Sequence, residues 1–405
     1  MNTGNEPALT EVAQAVFARL LALGEATRKQ LAEGTGFSFP SVTVALAELT
    51  ARNNVSELRR EQGARGRATI VYGVSDDAGW VLGVDIGSTQ ISYVGRALNG
   101  KCLGSGSIKR EKSTVHPGTL AGELIASAAD LGALNAAPLA VTVAINQVVP
   151  RQLMHPHRPR SLALDIAETF AACCGLPSST PFILENNVNC AAVTEHQQGL
   201  MSGHEDAAYM QIGVGIGLGF FADGTLIRGG QGISGELAQI PLSWSHSRSS
   251  GPDAIEQRYG SAGLMKRVAE CFQSDESHSP DSPEALFALG ATGDERAQNL
   301  MYEHSVALGR IAAAAATILD PSILVLGGGL SRNPAFARMI ADEFASRNQD
   351  THIAISQRGT EATVEGACLL ARDYAITRIA TRFHRPVCAR PTLLPGTQAL
   401  AAAAT

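Results

Sequence analysis

VLGVDIGSTQIS, residues 81–92, decides how the rest of the chain is read. Its apolar run is continuous, as in a strand buried on both faces, and it ends on Asp85 before Gly87 and Thr89 open a turn. Glycine there lets backbone N–H groups approach a phosphate, and Asp85 is placed to hold a hydrated metal. The alternative is an ordinary turn. Working outward, LAVTVAI (139–145), FILEN (182–186), YMQIGVGIGLGFF (209–221) and SILVLGGG (322–329) alternate with helical stretches. That alternation predicts an α/β domain with largely buried sheets.

Composition agrees with a folded chain. In 405 residues, 45% are hydrophobic and 17% charged, which excludes fibrous and wholly disordered classes. The net charge of −6 makes any nucleic-acid surface a local patch. Seven scattered cysteines lack C-x-x-C spacing and read as reduced core residues, and there is neither a leader-like start nor an 18-residue apolar span. A cytoplasmic protein is expected. SWSHSRSSGPD (243–253) and SDESHSPDSPEAL (274–286) read as surface loops.

The first 78 residues have a different texture. EVAQAVFARLLALG gathers Val12, Val16, Leu20 and Leu21 on one helical face, and a second helix is expected in ATRKQLAEGTG. After the Gly36 turn, Ser38 as N-cap and Pro40 in the first turn start a third helix running to about Arg52. Val42, Leu46 and Leu49 face its core, leaving Phe39, Ser41, Thr43 and Val44 outward. VSELRR and ATIVYGV then flank EQGARGRA, so that residues 51–70 carry Arg52, Arg59, Arg60, Arg65 and Arg67 against two glutamates. Two helices about a glycine turn, followed by a basic hairpin, fit a winged helix-turn-helix. The alternative is a three-helix appendage for protein contacts. Arg28, Phe39, Ser41, Thr43, Arg65 and Arg67 are the expected DNA-binding residues. Phe39 and Val44 cannot hydrogen-bond base edges, so specificity would lean on the hydroxyls, thymine methyls and DNA shape.

Several motifs in order carry a resemblance. This head is followed by VLGVDIGSTQ, LENNVNCAAVTEH, GVGIGLGFF with GISGELAQIPL, ILDPSILVLGGGLS and VEGACLLARDYA. Over about residues 10 to 380 the chain resembles the ROK family of repressors and sugar kinases. The resemblance implies an actin-like ATPase fold of two lobes with a sugar cleft, preceded by the winged helix-turn-helix. The expected divisions are a DNA-binding domain (1–78), a sugar-sensing ROK domain (79–384) and a flexible tail (385–405).

Departures from the family shape the functional expectation. ROK kinases carry E-N-D-A-N, whose Asp takes the proton from the sugar hydroxyl, whereas this chain has Asn187 there. An amide cannot serve as that base, which is worth about 10²- to 10⁴-fold. The usual G-T-G is Gly213-Val214-Gly215, and the cysteine-rich zinc loop is replaced by a stretch holding His246 and no cysteine. No metal and no cofactor is therefore expected. Asp85, Gly87, Thr89, Gly213, Gly215 and Gly328 read as a remnant nucleotide site. By the same resemblance, Asn186, Glu236 and Glu256 match positions that hydrogen-bond a sugar, while Asn187 and Gln239 are polar substitutes able to do the same. Pro156-His157 is a candidate for the family's P-N position; Arg151, Arg158 and Arg160 form either a subsite for a sugar phosphate or a solvated basic loop.

The leading expectation is a non-enzymatic regulator of carbohydrate genes, its sugar kinase activity lost, that binds an inverted-repeat operator as a dimer or tetramer and senses a sugar or sugar phosphate. The rivals are an ATP-dependent sugar kinase with a DNA-binding head, and a ligand-blind dimerisation scaffold.

Overall fold

The computed structural model describes residues 8–62, 68–110, 115–132, 134, 136–153, 161–240, 254–273, 279–348 and 350–394. The chain opens with α1 (Glu11–Leu23), β1 (Glu25–Thr27), α2 (Arg28–Thr35), α3 (Phe39–Ala51), β2 (Val55–Gln62) and β3 (Ala68–Val74). Polar caps set the three helix starts. Thr10, Thr27 and Ser38 each accept a backbone N–H, from Ala13, Gln30 and Ser41, and Thr27 with Gln30 closes a capping box. That box trims the helix expected in ATRKQLAEGTG: Ala26 and Thr27 are extended with Glu25 and pair with β3, so helix begins only at Arg28. Val16, Phe17, Leu20, Leu31, Val42 and Leu49 are fully buried between the helices. The strands form an antiparallel sheet ordered β1-β3-β2.

Next come β4 (Trp80–Ile86), β5 (Gln90–Ala97), β6 (Cys102–Lys109), α4 (Pro117–Ala126), α5 (Ala129–Gly132), β7 (Val141–Ile145), α6 (Leu162–Cys173), β8 (Phe182–Asn186) and α7 (Asn187–Gln198). The remainder is β9 (Ala207–Ile212), β10 (Ile216–Ala222), β11 (Thr225–Leu226), α8 (Ala254–Tyr259), α9 (Ser261–Cys271), α10 (Pro283–Ala291), α11 (Glu295–Leu319), β12 (Ile323–Gly327), α12 (Pro334–Ala345), β13 (His352–Ile355), α13 (Ala362–Ile379) and β14 (Thr392–Leu393). Contacts divide the chain into two compact units, Met1–Asn187 with Ala367–Thr405, and Val188–Gly366.

The first unit holds a six-stranded sheet ordered β14-β8-β7-β4-β5-β6. Strands β4, β7 and β8 are parallel, while β5 and β6 extend the edge as an antiparallel meander. Leu82, Val84, Val143, Phe170 and Leu184 form its core. The expected flexible tail is corrected for residues 385–394, because β14 pairs antiparallel with β8 and Cys388, Thr392 and Leu394 are buried. Asp373 on α13 anchors this return, accepting from the ring of His384 (2.7 Å) and the N–H of Val387. Residues 395–405 lie outside the described residues.

The second unit holds a five-stranded sheet ordered β11-β10-β9-β12-β13, with β9, β12 and β13 parallel. Met210, Leu218, Leu308, Leu324, Phe336 and Phe344 belong to its core. The start of α13 lies against α7: Thr194 donates to the carbonyl of Ala362 (2.6 Å), and a Cβ on Gly366 would fall 1.7 Å from the carbonyl oxygen of Cys190. Among the described residues no helix is long and apolar enough to cross a membrane.

Candidate functional site

Register places the first group of candidates at one sheet edge. Asp85, Ala144 and Glu185 lie in one row across β4, β7 and β8, and Ile86, Ile145 and Asn186 in the next. The three parallel strands therefore end together, at the carboxyl edge where such sheets hold ligands. Gly87 and Thr89 leave β4 there, and Asn187 starts α7 there. Asp85 retains some exposed surface, but its Oδ1 is buried without a hydrogen-bond partner among the described residues. Desolvation pushes its carboxyl up to about 7.

A Cβ on Gly87 would sit 2.7 Å from the Gln90 carbonyl oxygen, so the turn closes too tightly for a side chain. The turn is braced by Arg110, whose guanidinium donates to the Gly87 carbonyl (3.3 Å) and whose N–H donates to that of Thr89 (2.8 Å). Arg110 is a cation that sequence reasoning missed. Only the pairing of β5 with β6, which sets Gln90 opposite Lys109, brings it here.

At the same edge Asn186 donates its amide to the Gln147 carbonyl (3.2 Å), and its N–H to the buried Glu185 carboxylate (2.8 Å). The Oδ1 of Asn187 is buried with no partner among the described residues. A buried acceptor without a donor is costly, and a ligand hydroxyl is a donor that would satisfy it.

The second unit assembles its candidates in the same way. The sequence read Gly213 to Gly219 as one strand-like stretch. The structure instead makes Gly213-Val214-Gly215 the turn of an antiparallel hairpin joining β9 to β10, closed by the Gly213 N–H on the Gly215 carbonyl (3.0 Å). Gly328 follows β12 with φ +92°, and a Cβ there would come within 2.5 Å of the Ile212 carbonyl oxygen. The two glycine turns thus pack backbone to backbone. Glu256 joins them, its Oε2 3.0 Å from where a Cβ on Gly215 would lie.

Glu236 and Gln239 sit at either end of a short 3-10 turn, Leu237–Gln239, tied by the Gln239 N–H to the Glu236 carbonyl (3.0 Å). Gly235, at φ +83°, holds this turn against β10 by accepting from the Leu218 N–H (2.9 Å). Glu236 also borders an apolar groove of about 560 Å³ walled by Leu218, Ile233, Ile311 and Ile318. A further residue missed from sequence is Glu195, whose buried carboxylate accepts from Ser356 (2.5 Å) and the Leu200 N–H (2.9 Å). It lies two turns along α7 from Asn187, and no motif spacing flags it. Among the described residues no three of His, Cys, Asp and Glu are grouped to hold a metal ion.

The head presents α3 outward, with Phe39 52% and Val44 70% exposed. Other expected DNA contacts are differently placed. Arg28 is turned inward, its guanidinium hydrogen-bonded to the Tyr72 hydroxyl and 5.4 Å above the Tyr72 ring. Thr43 donates to the Phe39 carbonyl (2.9 Å), and Ser41 shares a hydrogen bond with Ser38 (2.8 Å). Among the described residues of the head, Arg59 pairs with Glu25 and Glu61, Arg60 with Glu57, and Arg52, at the end of α3, with Glu48. Arg65, Arg67, Pro156, His157, Arg158, Arg160 and His246 lie outside the described residues.

Comparisons with known proteins add the lineage. The sequence profile of the ROK family matches residues 81–374. Bifunctional enzyme NanE/NanK of Brucella melitensis biotype 1 is 25% identical over 297 residues, 73% of this chain and 54% of that protein. The chain thus spans about half the length of the curated relatives it matches first. Among solved structures, the ROK hexokinase from Thermus thermophilus has a TM-score of 0.58 at 24% identity, over 72% of this chain and 97% of its own. A ROK family transcriptional regulator, homolog of the E. coli MLC protein, has a TM-score of 0.70 at 19% identity, over 92% of this chain and 98% of its own.

These findings correct one expectation. The reading of the chain as a non-enzyme that has lost sugar kinase activity is overturned, because its relatives are named as enzymes and point to kinase activity. The physical reason is that phosphoryl transfer depends mostly on positioning and electrostatics, so replacing one base by Asn187 does not establish an absence.

Proposed function

Since this chain belongs to the ROK family, we propose that it couples a duplex-DNA-binding head to a sugar-binding body and acts as a sugar-responsive transcriptional regulator. One observation carries this reading. Residues ahead of the family match form three helices and a β1-β3-β2 sheet, in which α3 follows a glycine turn and the β2–β3 hairpin stands beyond it. That layout supports a winged helix-turn-helix, in which the third helix enters the major groove and the hairpin reaches backbone or minor groove.

The body supplies the effector chemistry. Asn186, Asn187, Glu236, Gln239 and Glu256 are amides and carboxylates, the groups that pair with sugar hydroxyls, and the orphaned Oδ1 of Asn187 supports a hydroxyl donor. The regulator reading includes a homodimer, whose two-fold symmetry an inverted-repeat operator mirrors. Sugar must then bind the DNA-bound and free forms with different affinity, and the coupling is reciprocal. Titrating sugar with and without a selected operator tests this. Equal affinities in the two titrations reject the sensor.

A second reading, an ATP-dependent sugar kinase carrying the same head, has its own support. Asp85 and the Gly87–Thr89 turn stand at one carboxyl edge, the Gly213 and Gly328 turns at another, and the enzyme names of the relatives favour this reading more directly than the regulator. In it Asp85 would orient the cation that accompanies the nucleotide phosphates, and Asn187 would position the acceptor hydroxyl. A coupled ATPase assay with a hexose panel tests it: hexose-dependent turnover abolished in Asp85→Asn supports the kinase, and none with any hexose rejects it.

A further inference from the structure

The outward face of α3 is unusual for a helix placed to read DNA. Its only charged residue, Glu48, is turned to the head's interior contacts, accepting from the Thr10 hydroxyl (2.6 Å) and pairing with Arg52 (3.2 Å). Arg28, a cation expected to help it, is committed to Tyr72. What faces solvent is Phe39 and Val44, more than half and more than two-thirds exposed respectively.

The two hydroxyls beside them are also restricted. Thr43 spends its proton on the Phe39 carbonyl, and Ser41 shares one with Ser38. The Thr43 oxygen can accept from a base amine, but its proton is not free for a guanine O6 or N7. In the major groove, thymine alone among the bases presents a C5 methyl, and its partner adenine presents an N6 amine. Exposed apolar side chains beside the acceptor-only hydroxyl of Thr43 therefore match one base pair best.

We propose that α3 reads A·T pairs, with Phe39 and Val44 packing on thymine C5 methyls. This inference rests on the head being a DNA binder, and it names what that head selects. The preferred half-site is thymine-rich opposite these two side chains, and its recognition depends on methyl groups more than on charge-assisted contacts to guanine.

The test uses the full chain and duplexes it selects from a random pool. Each thymine of a half-site is replaced in turn by deoxyuridine, which removes the methyl and keeps the pairing. Affinity is expected to fall about 4-fold at each read position, the value of one buried methyl group. In Phe39→Ser and Val44→Ser, whose folding is checked by circular dichroism, the fall disappears at the matching position. Duplexes that bind equally with deoxyuridine throughout overturn the methyl reading and leave the head a DNA binder. A methyl effect that survives both substitutions also overturns it, since other residues then do the reading. Failure to bind any duplex removes both.

Discussion

The guanidinium of Arg59 on β2 forks onto both carboxylate oxygens of Glu25 on β1, at 2.5 and 2.6 Å, across the intervening strand β3. Such two-point pairing is specific in geometry, and the contact holds the Glu25 carboxyl below its ordinary range. Both side chains are about half exposed, so their role in stability is small, but the carboxylate competes with any phosphate for Arg59. Glu25→Gln should strengthen duplex binding and steepen its salt dependence by about one unit of slope, while Arg59→Ala weakens it. Fluorescence anisotropy between about 50 and 200 mM salt measures this. Identical slopes in parent and variants would place Arg59 away from the duplex.

Asp85 predicts an inverted pH dependence. Its carboxyl titrates near 7 when folded and near its ordinary 3.8 when unfolded, so between these values the folded chain holds the extra proton. Stability from this group therefore falls as pH rises from about 4 to about 7 and is level above. Asp85→Asn should remove the slope and gain about 4 kcal/mol at pH 8 relative to the parent. Urea unfolding at pH 5 and pH 8 decides it; a gain equal at both pH values would mean that Asp85 ionises normally.

By its resemblance to the E-N-D-A-N motif of ROK kinases, Asn187 takes the position of the proton acceptor. Installing that acceptor, as Asn187→Asp, should raise hexose phosphorylation by about 10²- to 10⁴-fold over the parent rate. The coupled assay with glucose and N-acetylhexosamines reads this directly. No gain with any of them would show that the limiting step lies elsewhere in the site.

Gly366 is expected to tolerate no side chain. A Cβ would overlap the Cys190 carbonyl and stand 2.8 Å from the Thr194 hydroxyl, both fixed within α7. Gly366→Ala should cost about 3 kcal/mol by forcing the two helices apart, read as a lowered urea midpoint at unchanged m. A midpoint equal to that of the parent would mean the helices separate freely.

Much of the fold was legible because its signals are local. The apolar runs at 81–86, 141–145, 182–186, 207–212 and 323–327 became the central strands, and Ser38 with Pro40 fixed the start of α3. What was not legible depends on register and on distant partners. Nothing near Arg110 in sequence shows that a hairpin sets it against Gly87, and nothing near residues 385–394 shows that β8 has an open edge to pair with. Ala26 and Thr27 read as helix because their pairing with β3 is formed by residues more than forty positions away. At the site, the identities of Asp85, Asn187 and Gly328 were readable, while the orphaned oxygens and the back-to-back glycine turns emerged only with coordinates. Composition likewise gave the arginines of residues 51–70 and two glutamates beside them, but not that Glu25 on another strand forks onto Arg59.

The two residues of β14 also act as a stopper. An outermost strand with free amides and carbonyls is a template for other chains, and FILEN would be a sticky one. By occupying Ile183 and Leu184, Thr392 and Leu393 keep that template closed. A version shortened ahead of them would be prone to self-association, so expression vectors and affinity tags are better placed with this return intact.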